Sequence, residues 1–185
     1  MEGQIVFKGK SQKGKQIEIR YPNSEDEESM RQYINELSKE RTFIRFQDEE
    51  VSKQEEEEYL NSQLDRITKK LTVQLLVFCE GKLVGISGID MKDKIEKHLG
   101  LFGITINKDF RGEGIGSMLM KLVIEEAAKN LHTLEIIILA VYGENDLAKE
   151  MYKNFGFLEY GRLPKGIKRD DGYSDHIFMY KLVKG

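Results

Sequence analysis

The sequence predicts an α+β domain, that is, an α/β mixed sheet with helices on its faces. Apolar runs of strand length alternate with segments in which apolar residues recur every three or four positions, as they do in amphipathic helices. The order along the chain is β-α-α-β-β-β-α-β-α-β-β, so strands and helices are interleaved. The length of 185 residues fits one domain, 1–185.

The N-terminal third predicts strands followed by two helices. The first twenty residues alternate loosely, which indicates a hairpin or two edge strands, and Pro22 ends this segment. Ser24 and Glu27 have the spacing of a helix capping box, and Ser52 and Glu55 repeat it. The apolar residues that follow are helically spaced: Met30, Ile34 and Leu37, then Leu60, Leu64, Ile67 and Leu71.

The middle of the chain predicts three strands, a helix and a fourth strand. The three strands are Val73–Cys79, Leu83–Ile89 and Leu99–Ile106. A glycine-rich turn opens a helix from about Gly114 to Asn130, with an apolar face of Ile115, Leu119, Leu122, Val123 and Ala127. Residues Leu134–Tyr142 follow with an apolar run that does not alternate, which predicts a strand buried on both faces.

The C-terminal part predicts a short helix and two strands. The helix spans Asp146–Phe155 and Gly156 ends it. Its inward side chains are expected to be Leu147, Ala148, Met151, Tyr152 and Phe155. The strands lie near Phe157–Arg162 and His176–Val183, with a polar loop between them.

Composition narrows the class of protein. The net charge of −3, with charges of both signs interspersed, argues against nucleic acid as a partner. Cys79 is the only cysteine and lies in an apolar run, so we expect an inert core thiol. The chain starts with no signal-peptide pattern, and no apolar run approaches the ~20 residues that cross a bilayer. We therefore expect a cytoplasmic protein without a membrane partner.

One loop has the composition of an anion site. Residues 111–117, Arg-Gly-Glu-Gly-Ile-Gly-Ser, lie between a predicted strand and a predicted helix. The first turn of a helix has unpaired N–H groups and a positive dipole end, which bind anions. Glycines 112, 114 and 116 allow close approach to a phosphate, and Arg111 supplies a charged donor. A pyrophosphate fits this loop, although such glycines alone often form an ordinary turn.

Two common phosphate-binding loops fit poorly. A Walker loop requires Gly-Lys-Ser/Thr, whereas Ser117 and Met118 follow Gly116. A dinucleotide-binding loop requires G-x-G-x-x-G on the first strand–helix turn, whereas this loop reads G-x-G-x-G and lies deep in the chain.

From Val73 onward the chain resembles the GNAT (Gcn5-related N-acetyltransferase) superfamily. Residues 103–106 followed by 110–116 resemble the strand and the R/Q-x-x-G-x-G/A loop of that family. A second motif, N-x-x-A-x-x-x-Y-x-x-x-G-F, is matched by Asn145, Ala148, Tyr152, Gly156 and Phe157. The segment Asp171–Asp175 is also similar to bacterial members. The resemblance implies the acyl-CoA N-acyltransferase fold, with residues 1–72 as strands and acceptor-side helices and residues 73–185 as the acetyl-CoA-binding core.

The resemblance also implies a cofactor site. Acetyl-CoA is the expected cosubstrate, and no metal is expected. The family's pantetheine arm pairs with the backbone of the strand before the loop, which here contains Ile104, Thr105 and Ile106. The pyrophosphate is expected on Arg111, Gly112, Glu113, Gly114, Ile115, Gly116 and Ser117. Asn145 matches a cofactor-contacting position, although it is equally suited to cap the following helix.

Catalytic roles follow the same resemblance. Tyr152 is expected to protonate the departing thiolate, because a phenol with a pKa of ~10 stays protonated at neutral pH. His98 is the nearest titratable side chain for a general base, because the strand itself offers no carboxylate. Asp175 and His176 are rival bases, and the acceptor could also arrive neutral through water.

The expected activity is transfer of an acetyl group to a primary amine of a small molecule or a peptide. The acidic run Glu55–Glu58, with residues 25–28, favours a cationic, polyamine-like acceptor, although acids also suit helix N-termini. The alternative is a non-catalytic acyl-CoA sensor of the same fold. Self-association as a homodimer is a further expectation.

Overall fold

A computed structural model of the protein describes residues 1–45, 47–170 and 172–183. Asp171, the first residue of the C-terminal motif, lies outside the described residues. The strands and helices are, in chain order, β1 (Ile5–Lys10), β2 (Gln16–Arg20), α1 (Glu27–Ser38), α2 (Lys53–Thr68), β3 (Thr72–Cys79), β4 (Lys82–Met91), β5 (Leu99–Ile106), α3 (Ile115–Asn130), β6 (Ile136–Tyr142), α4 (Asp146–Asn154), β7 (Leu158–Arg169) and β8 (Gly172–Leu182). None of these helices combines the length and the hydropathy needed to span a membrane.

The chain forms two compact units. The first comprises residues 1–90 and 103–132, and the second comprises residues 91–102 and 133–185. In the first unit β1, β2, β3 and β4 are joined in that order as antiparallel neighbours. In the second unit β5 runs parallel to β6, and β6, β8 and β7 are antiparallel neighbours. The sheet is therefore mixed, which confirms the predicted fold class.

The first unit has apolar packing on both faces of its sheet. One cluster joins α1 and α2 to the strands through Met30, Tyr33, Leu37, Leu60, Leu76 and Leu83. On α3 the buried residues are Ile115, Leu119, Met120, Val123 and Ala127, and this helix packs on β3. Met120 is buried, whereas Leu122, predicted inward, is only half-buried. Cys79 is buried as predicted, and burial raises the pKa of its thiol.

The first predicted capping box is wrong by one residue. The capping box uses Asn23 and Asp26 in a 3-10 turn before α1, and not Ser24 and Glu27. The cause lies outside the local sequence, because Arg20 holds the Asp26 carboxylate through bonds of 2.6 and 2.7 Å. The second capping box is confirmed, since the Ser52 side chain accepts from the backbone N–H of Glu55. Leu71 lies beyond the end of α2 and is exposed.

The strand β6 is not buried on both faces, as the sequence predicted. Ile137, Leu139 and Val141 are buried, whereas Ile136 and Ile138 are half-buried and Ala140 is exposed. A continuous apolar run therefore does not distinguish a strand covered on both sides from one whose second face is only partly covered.

The predicted polar loop before the last strand is also wrong. β7 and β8 form one long antiparallel hairpin, paired from Leu158 and Tyr180 to Arg169 and Gly172. Its distal part is largely solvent-exposed, so its sequence lacks the apolar alternation that signals a half-buried strand. Leu147 on α4 is 75% exposed, contrary to its predicted inward position.

Candidate active site

The glycine loop lies at the start of α3 in the first unit. Gly112 and Gly114 have φ of +72° and +75°, a backbone region that L side chains rarely adopt. Gly114 is the N-cap of α3, and no side chain accepts a hydrogen bond there. The first-turn N–H groups are thus left for another acceptor, and together with the helix dipole they suit an anion.

The Arg111 side chain at the start of the loop is held by a hydrogen bond and an ion pair. Its Nε donates to the backbone carbonyl of Ile106 over 2.9 Å, and its Nη2 donates to Glu40 over 2.5 Å. The Glu40 carboxylate, just after α1, also accepts from the backbone N–H of Lys108 over 3.0 Å. Sequence reasoning missed Glu40, and no local pattern marks it, because its partner lies 71 residues away.

The Glu113 side chain points to the turn between β1 and β2. Its side chain is buried and accepts from Ser11 Oγ over 3.1 Å, while Lys15 Nζ lies 3.2 Å from the carboxylate. Burial opposes ionisation, but these two donors outweigh it and lower the pKa of Glu113. The side chain therefore joins the loop to the turn between β1 and β2 and is not available to a ligand.

The other predicted cofactor residues in the first unit differ in exposure. Ile104, Thr105 and Ile106 are half-buried, and Thr105 Oγ1 accepts from the Tyr33 hydroxyl over 2.9 Å. The Ile106 carbonyl is already used by Arg111. In α3, Ile115 is a core residue, Gly116 is half-buried and Ser117 is exposed.

Tyr152 lies on α4 in the second unit. Its side chain is 7% exposed and meets Phe102 edge-on, with ring centroids 6.0 Å apart, and Phe157 at the same distance. Burial raises the pKa of Tyr152 to about 12. The hydroxyl is therefore protonated at neutral pH.

Asn145 caps α4, as its position allowed. Its side-chain oxygen accepts from the backbone N–H of Ala148 over 3.2 Å. The amide nitrogen of this side chain is not needed for the cap, so the predicted cofactor contact stays a prediction.

The candidate bases lie at different places in the second unit. His98 is half-buried before β5, and its carbonyl accepts from the N–H of Glu135 and that of Ile136. Its backbone lies about 13 Å along the strand from Phe102, the neighbour of Tyr152, at the usual strand rise. Asp175 accepts from the backbone N–H of Lys165 and pairs with an Arg162 nitrogen, while the His176 ring packs on Phe178 with centroids 4.7 Å apart.

Comparison with known proteins decides the family. Residues 20–157 match the model of the Acetyltransferase (GNAT) family. The chain belongs to the GNAT family. An Escherichia coli (strain K12) relative, L-amino acid N-acetyltransferase AaaT, is 29% identical over 120 residues, 64% of this chain and 74% of that protein. N-alpha-acetyltransferase 30 of Dictyostelium discoideum is 35% identical over 91 residues, 48% of this chain and 47% of that protein.

Solved structures of acetyltransferases share the fold of this chain. A GNAT acetyltransferase from Streptococcus pneumoniae superimposes with a TM-score of 0.83 at 27% identity, covering 91% of this chain and 99% of that one. A putative acetyltransferase from Salmonella typhimurium, solved with its cofactor acetyl-CoA, shares the fold with a TM-score of 0.77 at 15% identity, covering 91% and 94% of the two chains. The protein is thus a GNAT-type N-acetyltransferase.

The Arg111–Glu40 pair of this GNAT protein is expected to contribute to stability. Glu40→Gln and Arg111→Gln should each lower the free energy of unfolding by about 1 kcal/mol, because Arg111 is partly exposed and solvent screens the pair. The double variant should lose less than the sum of the two single losses. Urea unfolding of the four proteins measures the coupling, and strictly additive losses would show that the two side chains do not stabilise each other.

Several acidic residues of α1 and α2 are capping, paired or buried within the GNAT fold. Glu55 completes the capping box, and Glu28 pairs with Arg31 over 2.8 Å. Glu56 is buried, and burial together with the nearby charge of Glu27 raises its pKa to about 7. The ion pair of Glu28 and the raised pKa of Glu56 therefore reduce the negative field predicted for this region, while Glu55 stays ionised.

The raised pKa of Glu56 predicts that the stability of the protein depends on pH. Because its pKa is about 7 in the folded protein against 4.5 ordinarily, the folded state binds more protons between these values. The stabilisation that protonated Glu56 contributes is complete below about pH 4.5 and is lost as the pH rises through 7. The free energy of unfolding should change by an amount on the order of 2–3 kcal/mol. Urea unfolding from pH 5 to pH 8 should show this loss in the wild type and not in Glu56→Gln. The control is Glu57→Gln, an exposed neighbour, which should keep the wild-type pH profile, and an equal profile in Glu56→Gln would refute the assignment.

Proposed function

We propose that the protein transfers the acetyl group of acetyl-CoA to a primary amine of an amino acid or peptide by direct attack. The observation that carries the proposal is the uncapped N-terminus of α3 behind left-handed Gly112 and Gly114, in a chain of the GNAT family. Glycine backbone and free N–H groups suit the pyrophosphate of the cofactor. The acetyl-CoA bound to the Salmonella typhimurium protein of the same fold supports this choice of donor.

In the proposed reaction the amine nitrogen attacks the thioester carbon, and the C–S bond breaks as the C–N bond forms. The leaving group is a thiolate whose thiol has a pKa of ~8.5. A Tyr152 hydroxyl with a pKa of about 12 is a poor donor for complete proton transfer to that sulfur. We infer that Tyr152 stabilises the developing thiolate by a hydrogen bond, and that the proton finally comes from the ammonium formed on attack or from water.

The attacking amine must be neutral. A base is not required if the acceptor enters as the free amine, and the placement of His98 along β5, about 13 Å of strand before Phe102, favours this route. In that case activity rises with pH through the pKa of the acceptor. His98→Gln should then leave kcat/KM within about twofold of the wild type.

The acceptor class is inferred from two observations. One relative reported above is named an L-amino acid N-acetyltransferase, and the other is named an N-alpha-acetyltransferase. In addition, Glu56 is buried with a raised pKa and Glu28 is paired with Arg31, which weakens the argument for a polyamine. We therefore propose an α-amino group as the acceptor.

The test is thiol release from acetyl-CoA in the presence of a panel of acceptors. The panel contains L-amino acids, short peptides, the same peptides with blocked N-termini, and polyamines. Release with amino acids or free peptides, and none with blocked ones, supports the proposal. Preference for a polyamine, with a rate that falls as salt is added, would instead support a cationic acceptor. Tight CoA binding without turnover on any acceptor would identify an acyl-CoA sensor.

Self-association is proposed through the hairpin of β7 and β8. It exposes Leu158, Tyr160, Leu163 and Tyr173, each more than half accessible. Apolar side chains on a long edge hairpin are suited to an interface. Sedimentation velocity of the wild type and of Tyr160→Lys tests this, and a wild-type monomer would refute it.

A further inference from the structure

We propose that Lys13, in the turn between β1 and β2, binds a phosphate group of the cofactor beside the glycine loop. The proposal rests on the proposed function, in which residues 111–117 hold the pyrophosphate of acetyl-CoA. It adds a residue from the N-terminal hairpin, far from the loop in sequence, to that site.

The turn is fixed against the loop by contacts within the first unit. The backbone N–H of Gln12 donates to the carbonyl of Glu113 over 3.1 Å, and Ser11 Oγ donates to the Glu113 carboxylate over the same distance. The turn is itself closed by a 2.8 Å bond from the N–H of Ser11 to the carbonyl of Lys15. Residues on this turn therefore have a defined position relative to the loop.

Lys13 lies next to the glycine backbone. Its Nζ is 3.9 Å from the point where a Cβ on Gly112 would stand, and its side chain is exposed. Gly112 is one of the two left-handed glycines whose backbone a phosphate would approach. The ammonium group thus stands beside the loop, and it can move within the length of its flexible side chain.

The other two cations at the loop are already engaged. Arg111 is held by Glu40 and by the Ile106 carbonyl. Lys15 pairs with Glu113 over 3.2 Å and lies over the Phe110 ring, 4.6 Å from its centroid.

Lys13 differs from both. Between the residues that the structure describes, no salt bridge within 4.0 Å includes Lys13, and its charge reaches Glu113 only through space. An uncommitted ammonium beside free N–H donors is suited to a phosphate, which accepts charge-assisted hydrogen bonds. Coenzyme A offers two such groups, the pyrophosphate and the 3′-phosphate. The chemistry of recognition is the same for both.

The test is calorimetric titration of the full chain with CoA and with 3′-dephospho-CoA. Lys13→Ala should weaken CoA binding about fivefold, the upper range for an exposed ion pair, and Lys13→Glu by more than about tenfold. Lys10→Ala is the matched control, because Lys10 is an exposed lysine on the same hairpin and should bind as the wild type does. The difference between Lys13→Ala and the wild type should shrink as salt is added.

The two ligands distinguish the two phosphate sources. An equal loss with both ligands assigns Lys13 to the pyrophosphate, whereas a loss with CoA alone assigns it to the 3′-phosphate. Wild-type affinity of Lys13→Ala for both ligands overturns the proposal and leaves the proposed function intact. Failure of the wild type itself to bind CoA would refute the proposed function instead. In turnover assays Lys13→Ala should raise the KM for acetyl-CoA and leave kcat unchanged, because a phosphate contact is distant from the thioester.

Discussion

Gly114→Val is expected to lower the affinity for CoA by about 100-fold or more. Gly114 has φ of +75°, and a Cβ there would stand 2.3 Å from Cδ of Gln12. The exposed Gln12 side chain can swing away, but a β-branched residue rarely adopts this φ, so the backbone of the loop must change and no longer directs its N–H groups at the pyrophosphate. Each charge-assisted bond lost costs about 1.5–3 kcal/mol, so two lost bonds account for this loss of affinity. Isothermal titration with CoA measures it.

The control for Gly114→Val is Gly81→Val. Gly81 lies in the turn between β3 and β4 with φ of +85°, and no heavy atom lies within 4 Å of its added Cβ. Both variants should therefore lose stability from the same left-handed backbone, by about 1–2 kcal/mol. Only Gly114→Val should lose affinity for CoA. If folded Gly114→Val binds CoA as tightly as Gly81→Val does, the cofactor does not use this loop.

Tyr152→Phe is expected to lower kcat about 10- to 100-fold and to leave the Kd for CoA nearly unchanged. The substitution keeps the ring that meets Phe102 and Phe157 and removes only the hydroxyl. A hydrogen bond to a charged group contributes about 1.5–3 kcal/mol, which corresponds to this range of rate. The loss should be smaller than that of a full general acid, because burial makes the phenol a weak one.

Tyr160→Phe is the matched control for this variant. Tyr160 lies on β7 in the same unit and is 57% exposed. It should retain wild-type turnover. If Tyr152→Phe turns over at the wild-type rate, the residue is a core side chain whose hydroxyl takes no part in the reaction.

The glycine loop and the Asn145–Phe157 motif could be placed from the sequence because their signals are local. The glycines before α3 and the Asn145–Phe157 motif each occupy a short stretch, and the structure places them at a strand–helix turn and on α4 with its following residues. The buried position of Tyr152 follows from its helical spacing. Strand β5 matches its predicted bounds, Leu99–Ile106.

The sequence predictions are wrong where a contact between separate elements, or a strand without an apolar pattern, determines the structure. The first capping box uses Asn23 and Asp26, because Arg20, on β2, forms an ion pair with Asp26 and holds it in place. The distal part of the β7–β8 hairpin, between the two predicted strands, lacks the signal of a strand because backbone pairing does not need apolar alternation where most side chains are exposed.

The sequence by itself determined the family, the order of elements and the loop that suits a pyrophosphate, since these depend on residue types at fixed short spacings. Only the tertiary structure decided which charges surround that loop. It pairs Arg111 with Glu40 and Lys15 with Glu113, and it leaves Lys13 beside Gly112. The physical reason is that ion pairs form between side chains close in space, and the partners of Arg111 and Glu113 lie 71 and about 100 residues away along the chain.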